Sequence, residues 1–136
     1  MILLDTSILS AVLRRRPATR LEQHLNERLH ALLESGEKVG LPGLAFQEVL
    51  SGIRDDRQVR KIQSVLLEGY PLVLAALGDH LLAADIANRC RRKGITASSG
   101  DALVAALAIN RNARLFAIDE DFEHIARAVP LRLVEI

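Results

Sequence analysis

No two of the short apolar runs in this chain lie close enough in sequence to close a hairpin, and this spacing constrains the fold more than any other feature. The runs fall at residues 2–5, 39–41, 71–74, 114–118 and 131–135, with helix-like sequence between them. Strands that alternate with helices return to the sheet through crossovers, so they pair mainly in parallel and the helices cover both faces. The expectation is an α/β fold, three layers deep, with a central, mainly parallel sheet of about five strands. The helical stretches are legible in their spacing. Leu21, Leu25, Leu29, Leu32 and Leu33 recur after Pro17 until Gly36 stops the pattern, and Phe46, Val49, Leu50 and Ile53 form a second stripe. Further helices are expected over 56–68, over 79–93 with Gly94 as the stop, and over the alanine-rich 101–110. At 136 residues the chain is expected to form one domain, 1–136.

Acidic residues sit where these strands end or in the helices that follow. Asp5 closes Met1-Ile2-Leu3-Leu4, and Asp119 closes Leu115-Phe116-Ala117-Ile118. Glu48 and Asp101 lie in helices. In a parallel α/β sheet such positions gather at the carboxyl edge. Carboxylates brought together raise one another's pKa unless a cation sits among them, and an oxygen-only set suits Mg²⁺ or Mn²⁺ rather than a soft metal. Each acid also has a plainer reading. Asp5 and Asp119 are good helix caps, and Ser98-Ser99-Gly100-Asp101 matches a capping box. Glu48 lies opposite the Phe46, Val49, Leu50, Ile53 stripe, as an ordinary exposed glutamate would.

Composition narrows the alternatives. With three Phe, one Tyr and no Trp, few bases could be stacked on aromatic rings. The net charge of +1 leaves only local basic runs, Arg14-Arg15-Arg16 and the Arg54 and Arg57 pair among them, as candidate phosphate contacts. Cys90 is the single cysteine, so no internal disulfide forms, and the four histidines show no zinc-ligand spacing. No run approaches the roughly 18 apolar residues of a membrane span. A soluble, cytoplasmic protein without membrane contact is expected.

Four ordered motifs carry a family resemblance. Leu3-Leu4-Asp5-Thr6-Ser7, then Gln47-Glu48-Val49-Leu50-Ser51-Gly52-Ile53-Arg54, then Gly100-Asp101-Ala102-Leu103-Val104-Ala105-Ala106, then Ala117-Ile118-Asp119-Glu120-Asp121-Phe122, together resemble PIN-domain proteins, and most of all the VapC toxins of prokaryotic toxin–antitoxin pairs. The resemblance implies a Mg²⁺-dependent ribonuclease that leaves 5′-phosphate and 3′-hydroxyl ends, a VapB-like antitoxin as partner, and a homodimer. It implies that Asp5, Glu48, Asp101 and Asp119 are the catalytic quartet, with Asp5, Asp101 and Asp119 as metal ligands and Ser7 and Asp121 in support. Many relatives carry Thr or Ser two residues before the fourth acid, where this chain has Ala117.

The acids alone lead to the same chemistry. Divalent ions held by them would neutralise a scissile phosphate and activate water, with no side-chain nucleophile. An aspartyl-phosphate enzyme would want a second Asp two residues after Asp5, where Ser7 stands. A receiver-type domain would want an early acidic pair and a late strand-end lysine, and neither is present. A non-catalytic PIN-like RNA-binding or scaffold module, and a housekeeping PIN nuclease, are the alternatives.

Overall fold

The computed structural model describes residues 1–14 and 16–136; Arg15 lies outside the described residues. The chain runs β1 (Ile2–Leu4), α1 (Thr6–Val12), α2 (Arg20–Glu34), β2 (Val39–Pro42), α3 (Gly43–Ser51), α4 (Asp56–Gly69), β3 (Leu72–Val73), α5 (Leu77–Arg92), α6 (Ser99–Asn110), β4 (Arg114–Phe116), α7 (Glu120–Ala126) and β5 (Arg132–Leu133). The five strands form one sheet in the order β3-β2-β1-β4-β5, and every neighbouring pair is parallel. The three-layer α/β/α architecture expected from the spacing is present.

Side chains on successive strand residues point to opposite faces, and this alternation divides the core in two. Leu3, Leu115 and Ala117 pack with α5, α6 and α7 residues such as Ile86, Ala105 and Phe122. Ile2, Leu4, Leu41 and Phe116 pack with Ile8, Leu25, Leu29 and Leu66 from the helices between β1 and β3. Ile2, Leu3 and Leu4 are fully buried, and such burial stabilises by about 2 kcal/mol per side chain. The strand order also sets the site. After β3 the chain crosses to the other side of β1, so β1 and β4 flank the point where the winding reverses, and their carboxyl ends open a crevice there.

Three expectations need adjustment. The strands over 71–74, 114–118 and 131–135 are shorter, because only Leu72–Val73, Arg114–Phe116 and Arg132–Leu133 keep ladder partners. In α2 the buried stripe is Leu25, Leu29 and Leu32, while Leu21 and Leu33 are 49% and 42% exposed; Leu33 is rotated about 100° from Leu32, and Leu21 sits in the first turn. The stripe ending at Ile53 outlasts its helix, which closes at Ser51 with Gly52 as the cap. Gly36 and Gly94 do stop α2 and α5, with φ of 84° and 76°.

Far from the acidic edge, one buried carboxylate ties α5 to the end of α6. Asp79 is 3% exposed; its Oδ1 accepts from Asn110 Nδ2 and Arg111 Nη1, both at 2.9 Å. Its Oδ2 accepts from Arg111 Nη2 at 3.1 Å and from the Ala76 amide at 2.9 Å. Hydrogen bonding from Arg111 outweighs the cost of burial and holds the Asp79 carboxyl well below the usual carboxylate range. A folded-state pKa below the unfolded one means that this stabilisation is present above about pH 4 and is lost as pH falls further. Asp79→Ala is expected to cost about 3 kcal/mol at neutral pH, since it strands a charged Arg111. Urea titrations at pH 7 and pH 3 should show the gap between wild type and variant narrowing on acidification.

Candidate metal centre

Asp5 is the N-cap of α1, placed at the crevice by the buried strand before it. Its Oδ2 accepts from the Ser7 amide at 3.1 Å and from the Ser7 hydroxyl at 2.6 Å. Ser7 Oγ in turn accepts from the Ile118 amide at 3.3 Å. One hydroxyl thus joins the end of β1 to the end of β4. Asp119 is the N-cap of α7, and its Oδ1 accepts from the Asp121 amide at 3.0 Å. In both aspartates the cap engages one oxygen, and the other has no hydrogen-bond partner among the described residues. Capping and cation binding are compatible here.

Helix α6 runs back from the carboxyl edge toward the start of β4, which brings its first turn, and Asp101, over the crevice. Ser98 Oγ accepts from the Asp101 amide at 3.1 Å, so one half of the capping box forms. The other half does not form: among the described residues nothing joins the Asp101 carboxylate to the Ser98 amide. That carboxylate turns to the acids. Asp101, Asp119 and Asp121 each offer an oxygen, and the three oxygens lie within 4.8 Å of one another. Burial pushes the Asp101 carboxyl up to about 6, against a lowering influence of the Ser98 hydroxyl on that carboxyl, and the charges of Asp119, Asp5 and Asp121 add to the rise.

Glu48 arrives on α3, exposed as its helical phase required. Its Oε2 accepts a hydrogen bond from Thr6 Oγ1 at 2.8 Å. Its Oε1 lies beside Gly100, where a Cβ would sit 3.7 Å from that oxygen and 3.2 Å from Leu44 Cδ2. Glu48 is therefore seated between the residue after Asp5 and the residue before Asp101. It stands outside the tight trio.

Of the expected metal ligands Asp5, Asp101 and Asp119, the closest group holds Asp101 and Asp119 together with Asp121, read from the sequence as support, while Asp5 stands outside that group and near enough for its charge to act on Asp101. Sequence reasoning misses Thr6. It follows Asp5 directly, but its contact with Glu48 spans 42 positions and has no local signature. Ala117 is buried in the core against α6 and α7, and the hydroxyls that touch the acidic residues come from Thr6, Ser7 and Ser98.

The basic residues are less concentrated. Arg14 lines a groove of about 320 Å³ with Thr6, Ser10, Glu48 and Gln58, and stands 3.6 Å from Glu22. Arg16, Arg54 and Arg57 are exposed, and no ion pair involves them among the described residues. Arg15 is the one basic candidate beyond the described residues. None of the helices described is long and apolar enough to cross a membrane.

A carboxylate trio over the switch point of a parallel sheet offers oxygen donors of the kind that hard cations take. Residues 2–128 match the PIN domain family, and the chain belongs to it. It is 36% identical over 103 residues to VapC ribonuclease Mb1587 of Mycobacterium bovis, covering 74% of this chain and 76% of that protein. Its fold is that of VapBC2 from Rickettsia felis, solved bound to a promoter DNA fragment (TM-score 0.79, 18% identity, 98% of both chains). A toxin–antitoxin complex from Klebsiella pneumoniae shares it too (TM-score 0.71, 18% identity, 98% of this chain and 100% of that one).

The raised Asp101 pKa has a stability consequence with a definite sign. An acid whose pKa is higher folded than unfolded costs nothing below about pH 4 and destabilises the fold increasingly as pH rises toward 6. Without metal, Asp101→Asn should be more stable than wild type at pH 7.5 by on the order of 1–2 kcal/mol, allowing for partial exposure. Thermal unfolding in EDTA from pH 4 to 8 should show this advantage open between about 4 and 6 and then stay constant.

Proposed function

We propose that this protein is a Mg²⁺-dependent ribonuclease of the VapC toxin type, which hydrolyses RNA phosphodiester bonds and is restrained by a cognate VapB-like antitoxin. The observation that carries the reading is the convergence of Asp101, Asp119 and Asp121 beside Asp5 and Glu48 in a chain of the PIN domain family. The 36%-identical relative named a ribonuclease supports it. The intact acids speak against a purely scaffolding module.

The donor set fits a hard divalent cation: all ligand atoms are carboxylate oxygens, and a positive charge among them would offset the burial and the neighbouring charges that raise Asp101. Asp5, Asp101 and Asp119 would hold Mg²⁺ or Mn²⁺, with Asp121 close enough to contribute directly or through water. A bound ion there supplies charge neutralisation at the scissile phosphate and a lowered pKa for water. Glu48, apart from the trio, would orient the attacking water and accept its proton. Water adds to phosphorus as the bond to the leaving ribose oxygen breaks, and that oxygen takes up a proton. Ser7 keeps Asp5 and the β4 end in register.

Two surfaces fit the proposed partners. Leu9, Val12, Leu29, Leu33 and Val65 line a groove of about 320 Å³ between α1, α2 and α4, suited to the apolar side chains of an antitoxin segment. Leu74, Leu77 and Leu81 are 68%, 75% and 64% exposed, and a homodimer would cover them. An antitoxin encoded beside this chain separates the toxin reading from a housekeeping nuclease.

Sequencing of RNA 5′ ends after brief expression of wild type and Asp5→Asn should reveal cleavage sites present only with wild type. In purified form, Asp101→Asn is expected to lose at least about 100-fold in rate, several kcal/mol of transition-state stabilisation. Retained activity in EDTA would overturn the metal-dependent reading. For the basic residues, reversing the charge of Arg14, Arg16, Arg54 or Arg57 should lower the slope of log affinity against log salt by about one for each phosphate no longer neutralised. An unchanged slope would mark that residue as solvated surface.

A further inference from the structure

Glu48 is exposed, sits on a side chain with three rotatable bonds, and faces an edge crowded with negative charge. With Thr6, Arg14 and Gln58 it lines a groove of about 320 Å³ between α1, α3 and α4. Among the described residues one hydrogen bond holds its carboxylate, from Thr6 Oγ1 to Glu48 Oε2 at 2.8 Å.

The Thr6 hydroxyl has no other assignment. Thr6 is the first residue of α1, but the cap is supplied by Asp5, which accepts from the Ser7 amide. Among the described residues Glu48 is the sole side-chain partner of Thr6. A hydrogen bond to an ionised acceptor is about twice as strong as a neutral one, enough to choose between rotamers. We propose that Thr6 is a positioning residue: its hydroxyl fixes the Glu48 carboxylate beside Gly100 at the acidic edge.

The geometric part of this inference stands without any activity, whereas its consequence for turnover rests on the ribonuclease reading. Crystal structures of metal-free wild type, Thr6→Val and Thr6→Ser read the geometry directly. Glu48 should leave Gly100 in the near-isosteric Thr6→Val protein and stay in Thr6→Ser. Kinetics read the consequence: Thr6→Val should lower kcat about 10- to 100-fold, the usual effect of removing a group that orients a site residue. KM for RNA should change little, and Thr6→Ser should recover kcat. Thr6→Val added to Glu48→Gln should lower kcat no further. A Glu48 unmoved in Thr6→Val, or an equal loss on the Glu48→Gln background, would overturn the proposal. If wild type neither binds Mg²⁺ nor cleaves RNA, the ribonuclease reading falls, and the position of Glu48 in the two variant structures still decides the role of Thr6.

Discussion

Electrostatic repulsion at the carboxyl ends of β1 and β4 is the cost around which this molecule is arranged. Asp5, Asp101, Asp119 and Asp121 share one edge, and the Asp101 carboxyl is pushed up to about 6 by burial and by its neighbours. Among the described residues no basic side chain forms an ion pair with these acids. The compensation comes from the buried strands that fix β1 beside β4, from the helix starts that engage one oxygen each of Asp5 and Asp119, and from the Ser7 hydroxyl that bridges the two strand ends. The apolar core is therefore also the support that holds like charges together.

Helix α6 shows how this support reaches the acids. Its apolar residues, Ala102 and Val104 to Ala108, are nearly all buried, so its axis has little freedom against the sheet and α5. At one end it presents Asp101 to the crevice. At the other end Asn110 and Arg111 lock onto Asp79. One carboxylate of the molecule is thus held strongly ionised by a dedicated partner while another is left under strain, and the contrast separates a structural acid from a candidate working one.

Much of this was legible in the sequence because it is local. The strand-Asp-helix runs at Asp5 and Asp119, the helical phase of Glu48 and the glycine stops at Gly36 and Gly94 each depend on a few neighbouring residues. The parallel sheet followed from the spacing of the apolar runs. What could not be read was long-range. Nothing near Thr6 announces a partner on α3, nothing near Asp79 announces Arg111, and the approach of Asp121 to Asp101 depends on how α6 crosses the crevice. The capping box at Ser98 was half right, because tertiary placement turned its acid elsewhere. The outer turns of α2, with Leu21 and Leu33 in solvent, show apolar spacing exceeding the surface available to bury it.

The adjacency of β1 and β4 also has a consequence in time. Ile2 pairs with Arg114 and Leu4 with Phe116, so the two halves of the crevice come from segments widely separated in sequence. During synthesis Asp5 emerges well before Asp101, Asp119 and Asp121, and its edge gains them only once they too have left the ribosome. A chain that stalls or is cut before that point carries an incomplete set of acids. On the proposed reading, the ribosome making this protein is exposed to no nuclease until the last strands dock, and the interval in which an inhibitor must find its target begins with the completed fold.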